Sequence, residues 1–119
     1  MALKKKKTLS DRVVEFVLNR SVDEFRNLTV TGIASIFHVN RCYLSRKFKS
    51  DKEFTLCEFL IREKLSRSVE VLRRDEIITI RELSAKMGFA NANYFIQIFK
   101  RYYGASPGRY REYISKIRD

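Results

Sequence analysis

The side chains that usually do chemistry are few in this sequence, and they are scattered. There is one histidine, His38, and two cysteines, Cys42 and Cys57, which are too far apart for a paired metal clip. No glycine-rich phosphate loop is present, and no nucleophile–base pair or metal-ligand set can be assembled, so neither an enzyme nor a cofactor is expected. What the chain does carry is hydrogen-bonding side chains in a basic setting. One run holds Arg41, Cys42, Ser45 and Arg46, and a second holds Ala92, Asn93, Ile96 and Gln97. An arginine offers two parallel N–H groups that suit guanine O6 and N7, and a carboxamide offers the donor–acceptor pair that suits adenine. Each such pair discriminates against a wrong base by about 1–3 kcal/mol.

Those side chains need rigid elements, and the spacing of apolar residues supplies helices. Gly totals 4 and Pro 1, and apolar positions recur at three and four residues more than at two. Ser10-Asp11 reads as a helix start, with Val13, Val14, Val17 and Leu18 as its stripe. The segment from Ser21 to Thr29 breaks the pattern. A short helix from about Val30 to Phe37 buries Ile33, Ala34 and Phe37, and His38, Val39 and Asn40 make a turn. Asn40 caps a helix to about Ser50, with Tyr43, Leu44 and Phe48 inward. Thr55 caps a long helix over about 56–73, lined by Leu56, Phe59, Leu60, Leu65, Val69 and Leu72. Thr79 caps a helix ended by Gly88, and a helix from about Asn91 to Tyr102 follows, with Phe95, Ile98 and Phe99 inward. Gly104 ends it, and Pro107 suits the first turn of a last helix.

The chain contains one unit twice. Ile33, Ala34 and Phe37 correspond to Leu83, Ser84 and Met87 at an offset of 50. The run from Tyr43 to Lys49 corresponds to the run from Tyr94 to Lys100 at an offset of 51, the extra residue falling in the turn. Each unit is a short helix, a tight turn and a second helix, which is the helix-turn-helix plan. In that plan the second helix presents the side opposite its buried stripe. Burying Leu44 and Phe48 leaves Arg41, Cys42, Ser45, Arg46 and Lys49 outward. Burying Phe95, Ile98 and Phe99 leaves Asn91, Ala92, Asn93, Ile96, Gln97 and Lys100 outward. Arg46 suits either a guanine or, less specifically, a phosphate or a carboxylate. Ile96 suits either the edge of the core or a thymine methyl. Cys42 reads as a small residue beside a thymine methyl, or as a redox-sensitive thiol.

Charge supports an acidic partner. Lys+Arg total 25 against 14 Asp+Glu, for a net charge of +11, of which Lys4 to Lys7 supply +4 and the rest of the chain +7. Basic residues concentrate over 41–53 and again over 86–119. Lys49, Lys100, Arg101, Arg109 and Arg111 sit near helix ends or beyond the reading face, so phosphate contact suits them better than base contact. No apolar run reaches the roughly 18 residues of a membrane span. Residues 1–8 read as a disordered basic tail, linker or tag, ahead of a domain over 9–119.

At the level of motif, Gly88-Phe89, Tyr94-Phe95, Phe99-Lys100, Gly104, Ser106-Pro107 and Tyr110-Arg111 resemble the carboxy-terminal signature of the AraC-type transcriptional regulators. Ala34, Leu44, Arg46 and Phe48-Lys49 resemble the amino-terminal half of the same DNA-binding domain. The resemblance covers roughly Ser10 to Tyr113. It implies an all-α, seven-helix domain with two helix-turn-helix subdomains, over about 30–50 and 79–102, joined by a long central helix. It further implies that Cys42, Ser45 and Arg46 occupy base-reading positions, and that the partner of this bacterial, cytoplasmic regulator is double-stranded DNA. The chain departs from the family's pattern at His38 and Glu53, where Gly is common, at Asn40, where Ser is usual, and at Ser84, where Ala is common.

Family members join this domain to a sensory or dimerisation module, so the chain reads as an excised, monomeric domain or as a stand-alone regulator. A central helix of about 18 residues spans roughly 27 Å. Successive major grooves lie about 34 Å apart. Two coupled reading helices therefore bend the DNA or engage it unequally, which a circular-permutation gel shift tests. The competing class is a basic protein-interaction module that contacts RNA polymerase or another acidic partner with little DNA readout.

Overall fold

A computed structural model describes residues 6–118, and within them the chain forms eight α-helices and no strand. They are α1 (Leu9–Leu18), α2 (Val22–Phe25), α3 (Val30–Ile36), α4 (Arg41–Lys52), α5 (Leu56–Arg74), α6 (Ile80–Lys86), α7 (Ala92–Tyr103) and α8 (Pro107–Arg118). The all-helical architecture expected from the sequence is present. The helix beyond the implied seven is α2, a single four-residue turn in the segment where periodicity breaks. Of the basic tail, residues 1–5 lie outside the described residues.

Two compact units divide the chain. Among the described residues, the first gathers 6–21 with Leu28–Glu63, the second Val22–Asn27 with 64–118, and α5 contributes to both. In the first unit, Val13, Val17, Ile33, Leu44 and Phe48 are fully buried, and Phe48 packs against Phe54 and Phe59 at ring separations of 5.8 and 5.9 Å. In the second, Phe25, Leu65, Leu83, Met87, Phe95 and Phe99 are fully buried. Phe99 meets Tyr103 and Tyr110 at 4.7 and 5.5 Å, which ties α7 to α8 by aromatic packing.

The helix starts are set by side-chain caps. Helix α1 begins two residues earlier than Ser10-Asp11 suggests. Thr8 Oγ1 accepts from the Asp11 N–H at 3.0 Å, and the Thr8 N–H donates back to the Asp11 carboxylate at 3.2 Å, a reciprocal capping box. Ser10 is thereby freed for the interior, where its hydroxyl donates to Asp51 Oδ2 at 2.7 Å. Thr29 and Thr79 cap α3 and α6 through the N–H groups of Gly32 and Glu82, both at 3.0 Å. Asn40 and Asn91 cap α4 and α7. Tyr43 departs from the inward placement its aromatic ring suggests. It stands at the edge of the α4 stripe and keeps 49% of its surface exposed.

Candidate nucleic-acid interface

The sequence repeat is also a backbone repeat. His38 and Gly88, related by the offset of 50, both take left-handed conformations, with φ of 56° and 81°. Around them the same two bonds recur. The Val39 N–H donates to Ala34 O at 3.0 Å and the Phe89 N–H to Ser84 O at 3.1 Å. The His38 and Gly88 N–H groups donate to Ser35 O and Ala85 O at 3.1 and 3.0 Å. Glu53 and Gly104, related by the offset of 51, close α4 and α7 at φ 67° and 78°. A left-handed residue reverses the chain after the short helix, and an asparagine restarts it into the second.

On α4, Arg41, Cys42 and Arg46 are exposed and Ser45 is half-buried, so all four lie on or beside the outward face. Asn40 Oδ1 accepts from the N–H groups of Cys42 and Tyr43 at 2.8 and 3.2 Å, fixing the first turn that carries them. The basic residues of this segment divide by role. Lys52 donates to Asp11 Oδ1 at 2.6 Å and so braces α4 against α1, whereas Lys47 pairs with Asp51 at 3.4 Å within α4. Lys49 is exposed and its Nζ donates to Glu53 O at 3.0 Å. The brace affects ionisation. The Lys52 ammonium, with the Thr8 backbone N–H, holds the Asp11 carboxyl down at about 2, and the Ser10 hydroxyl holds Asp51 below the usual carboxylate range.

On α7, Asn93 and Gln97 are exposed, and Ala92 and Ile96 are half-buried. Asn91 Oδ1 accepts from the Tyr94 N–H at 2.8 Å. Lys100, Arg101 and Arg109 are exposed. Arg111 behaves differently from the other expected phosphate ligands. It is half-buried, and its guanidinium donates to the Ile78 carbonyl, closing α8 onto the loop before α6. The same loop is held by Asp75, whose Oδ1 accepts from the N–H groups of Ile77 and Ile78, both at 2.9 Å. Arg81 went unnoticed in the sequence. It is exposed on α6 and lines a concavity with Asn91, Ala92 and Asn93 at the start of α7. Thr31 holds the corresponding place in the first unit, so repeat symmetry hid it.

Among the described residues, no group of three or more His, Cys, Asp or Glu side chains could hold a metal ion, and no helix is long and apolar enough to cross a membrane. Cys42 and Cys57 are free and exposed.

Comparison with known proteins settles the kind of domain this is. A family profile described as a helix-turn-helix domain matches residues 33–113. The chain belongs to the AraC-type helix-turn-helix family. An HTH-type transcriptional regulator of Bacillus subtilis, YfiF, is 33% identical over 84 residues, covering 71% of this chain and 26% of its own length. The Msm operon regulatory protein of Streptococcus mutans is 30% identical over 88 residues, covering 74% of this chain and 31% of its own. The chain therefore spans about a third or less of these two relatives. Among solved structures, the DNA-binding domain of AdpA in complex with a target DNA superposes with a TM-score of 0.76 at 20% identity, covering 92% of this chain and 95% of that one. At that identity the likeness concerns the fold.

Proposed function

We propose that this domain binds duplex DNA in a sequence-dependent way, as part of a bacterial transcription regulator, by placing α4 and α7 in successive major grooves. The observation that supports this most is the repeated presentation of polar side chains at one register. After a left-handed turn and an asparagine cap, each unit exposes a hydrogen-bonding side chain at the same position, Arg46 on α4 and Gln97 on α7. Arg41, Cys42 and Ser45 on α4, and Ala92, Asn93 and Ile96 on α7, complete the two reading faces. Half-burial suits Ser45, Ala92 and Ile96 to close apolar or hydroxyl contact near the groove floor.

Phosphate contacts fall to Lys49, Lys100, Arg101 and Arg109, which orient the domain without carrying sequence information. Arg111 contributes by holding the Ile78 carbonyl rather than by reaching DNA. The Msm operon protein and the other regulators among the relatives support a role in transcription, and AdpA, solved with DNA, supports the partner.

The test is a selection of bound duplexes from a random library with the wild-type chain, repeated with Arg46→Ala and Gln97→Ala. Each variant is expected to lose preference at its own base positions. A consensus that survives both substitutions unchanged would overturn the reading and favour a basic protein-interaction module.

A further inference from the structure

Two tyrosines stand beside the reading residues, one on each of α4 and α7. Tyr43 and Tyr94 are related by the same offset of 51 as the two reading helices, and both fall at the third residue of their helix. Neither is core. Tyr43 is 49% exposed and Tyr94 42%. In both, the residue three positions on is the proposed base reader, Arg46 or Gln97, and residues three apart share a helix face. On α7 this adjacency is visible as a groove lined by Tyr94, Gln97, Ile98 and Arg101. The Tyr94 ring is anchored by Phe89 at a centroid separation of 6.0 Å. A part-exposed tyrosine is a stiff arm ending in one hydrogen-bond donor, and on α7 its ring is seated against Phe89.

We infer that Tyr43 and Tyr94 are paired DNA-backbone ligands, each phenol O–H donating to a phosphate oxygen on the groove wall beside the base read by Arg46 or Gln97. This rests on the duplex-reading function proposed above. Phosphate is the favoured acceptor because the base-facing positions of each helix are already taken by the reading residues, whereas the tyrosines stand at the border of the buried stripe. Tyrosine hydroxyls are regular phosphate donors in protein–DNA complexes, and a bond to a charged acceptor is stronger than a neutral one. Two tyrosines in one register would set the depth and roll of each reading helix in its groove.

The experiment uses the full chain and a duplex selected by it. Tyr43→Phe and Tyr94→Phe keep the ring and remove only the hydroxyl, so thermal unfolding monitored by circular dichroism should match wild type. Each is expected to weaken binding about tenfold or more, the effect of one charge-assisted hydrogen bond, and to leave the selected consensus unchanged. Single methylphosphonate substitutions along both strands then locate the acceptor. At one phosphate per tyrosine, neutralisation should weaken wild type and abolish its advantage over the corresponding Phe variant. Wild-type affinity in either variant overturns the paired assignment. So does an advantage that persists at every methylphosphonate position, or a shift in the consensus. A wild-type chain that selects no consensus at all would instead show that the duplex-reading function had failed.

Discussion

The two helix-turn-helix units trace the same backbone with different residues at the points where the chain must turn left-handed. The second uses glycine at both, Gly88 and Gly104, whereas the first uses His38 and Glu53. A residue with a Cβ in that region carries roughly 1–2 kcal/mol of strain. The first unit therefore holds its turns against an opposing local preference, and its tertiary packing must over-determine them. The second unit has a further reason for glycine at one of its two positions. A Cβ at Gly88 would lie 2.3 Å from the Arg26 carbonyl oxygen, while one at Gly104 would meet nothing within 4 Å. One glycine is required for space and conformation, the other for conformation alone.

This contrast gives a graded series. Gly88→Ala should cost about 3 kcal/mol or more, since it adds a backbone collision to the strain. Thermal denaturation should show it, with the amides of α6 and α7 losing hydrogen-exchange protection first. A loss no larger than that of Gly104→Ala would mean that the Arg26 segment yields easily, and the distinction between the two glycines would collapse. In DNA binding, Arg46→Ala should cost about 2 kcal/mol at its preferred base and more than Gln97→Ala, because a forked cationic donor gives up more than a neutral amide. Equal losses would put the two reading faces on the same footing. Gly104→Ala should cost about 1 kcal/mol. His38→Gly should move stability the other way, by roughly 0.5–1 kcal/mol, relief of strain being partly offset by the greater freedom of an unfolded glycine. Destabilisation by His38→Gly would show that the imidazole packs usefully and that the turn is not strained.

The repeat explains what was legible in the sequence. Caps at Asn40, Thr55 and Thr79, glycines at 88 and 104, and the buried Phe48, Phe95 and Phe99 all follow from local rules that act within a few residues. Helix α2 escaped because four residues are too few to show periodicity, although Phe25 within it is fully buried. Tyr43 was misplaced because one residue along a helix rotates the side chain by about 100°, so a position beside Leu44 falls at the boundary of the stripe. The roles of Lys47, Lys52 and Arg111 were illegible for a different reason. Lys52 is fixed by the docking of α1 on α4 and Arg111 by a carbonyl 33 residues away, while Lys47 is held by Asp51 one turn on in α4, and composition records only their charge. Basic runs therefore record charge without recording which side chains are already engaged within the fold.

The smallest effect concerns how each reading helix is braced. Helix α4 is tied to α1 by ionisable groups, through Ser10–Asp51 and Asp11–Lys52, whereas α7 is tied to α8 by the rings of Phe99, Tyr103 and Tyr110. Asp11 has its carboxyl lowered from 3.8 to about 2, chiefly by Lys52, and Asp51 is lowered chiefly by Ser10. A depressed carboxyl stabilises the fold fully above its unfolded value and loses that contribution as pH falls through the folded one. The α1–α4 contact should thus loosen between about pH 4 and pH 2, while the stacked rings that join α7 to α8 do not titrate in that range. The second unit does contain Asp75, likewise lowered by the Ile77 and Ile78 N–H groups, so its loop before α6 serves as an internal reference. Because the α1–α4 carboxylates remain partly open to solvent, added salt should shrink the effect. Amide exchange followed residue by residue across that range should show α1 and the end of α4 opening before α7. Lys52→Met should move the loosening of α1 to higher pH and leave α7 unchanged. If α7 opened first, or if Lys52→Met left the midpoint where it was, the polar brace would not be what distinguishes the first unit from the second.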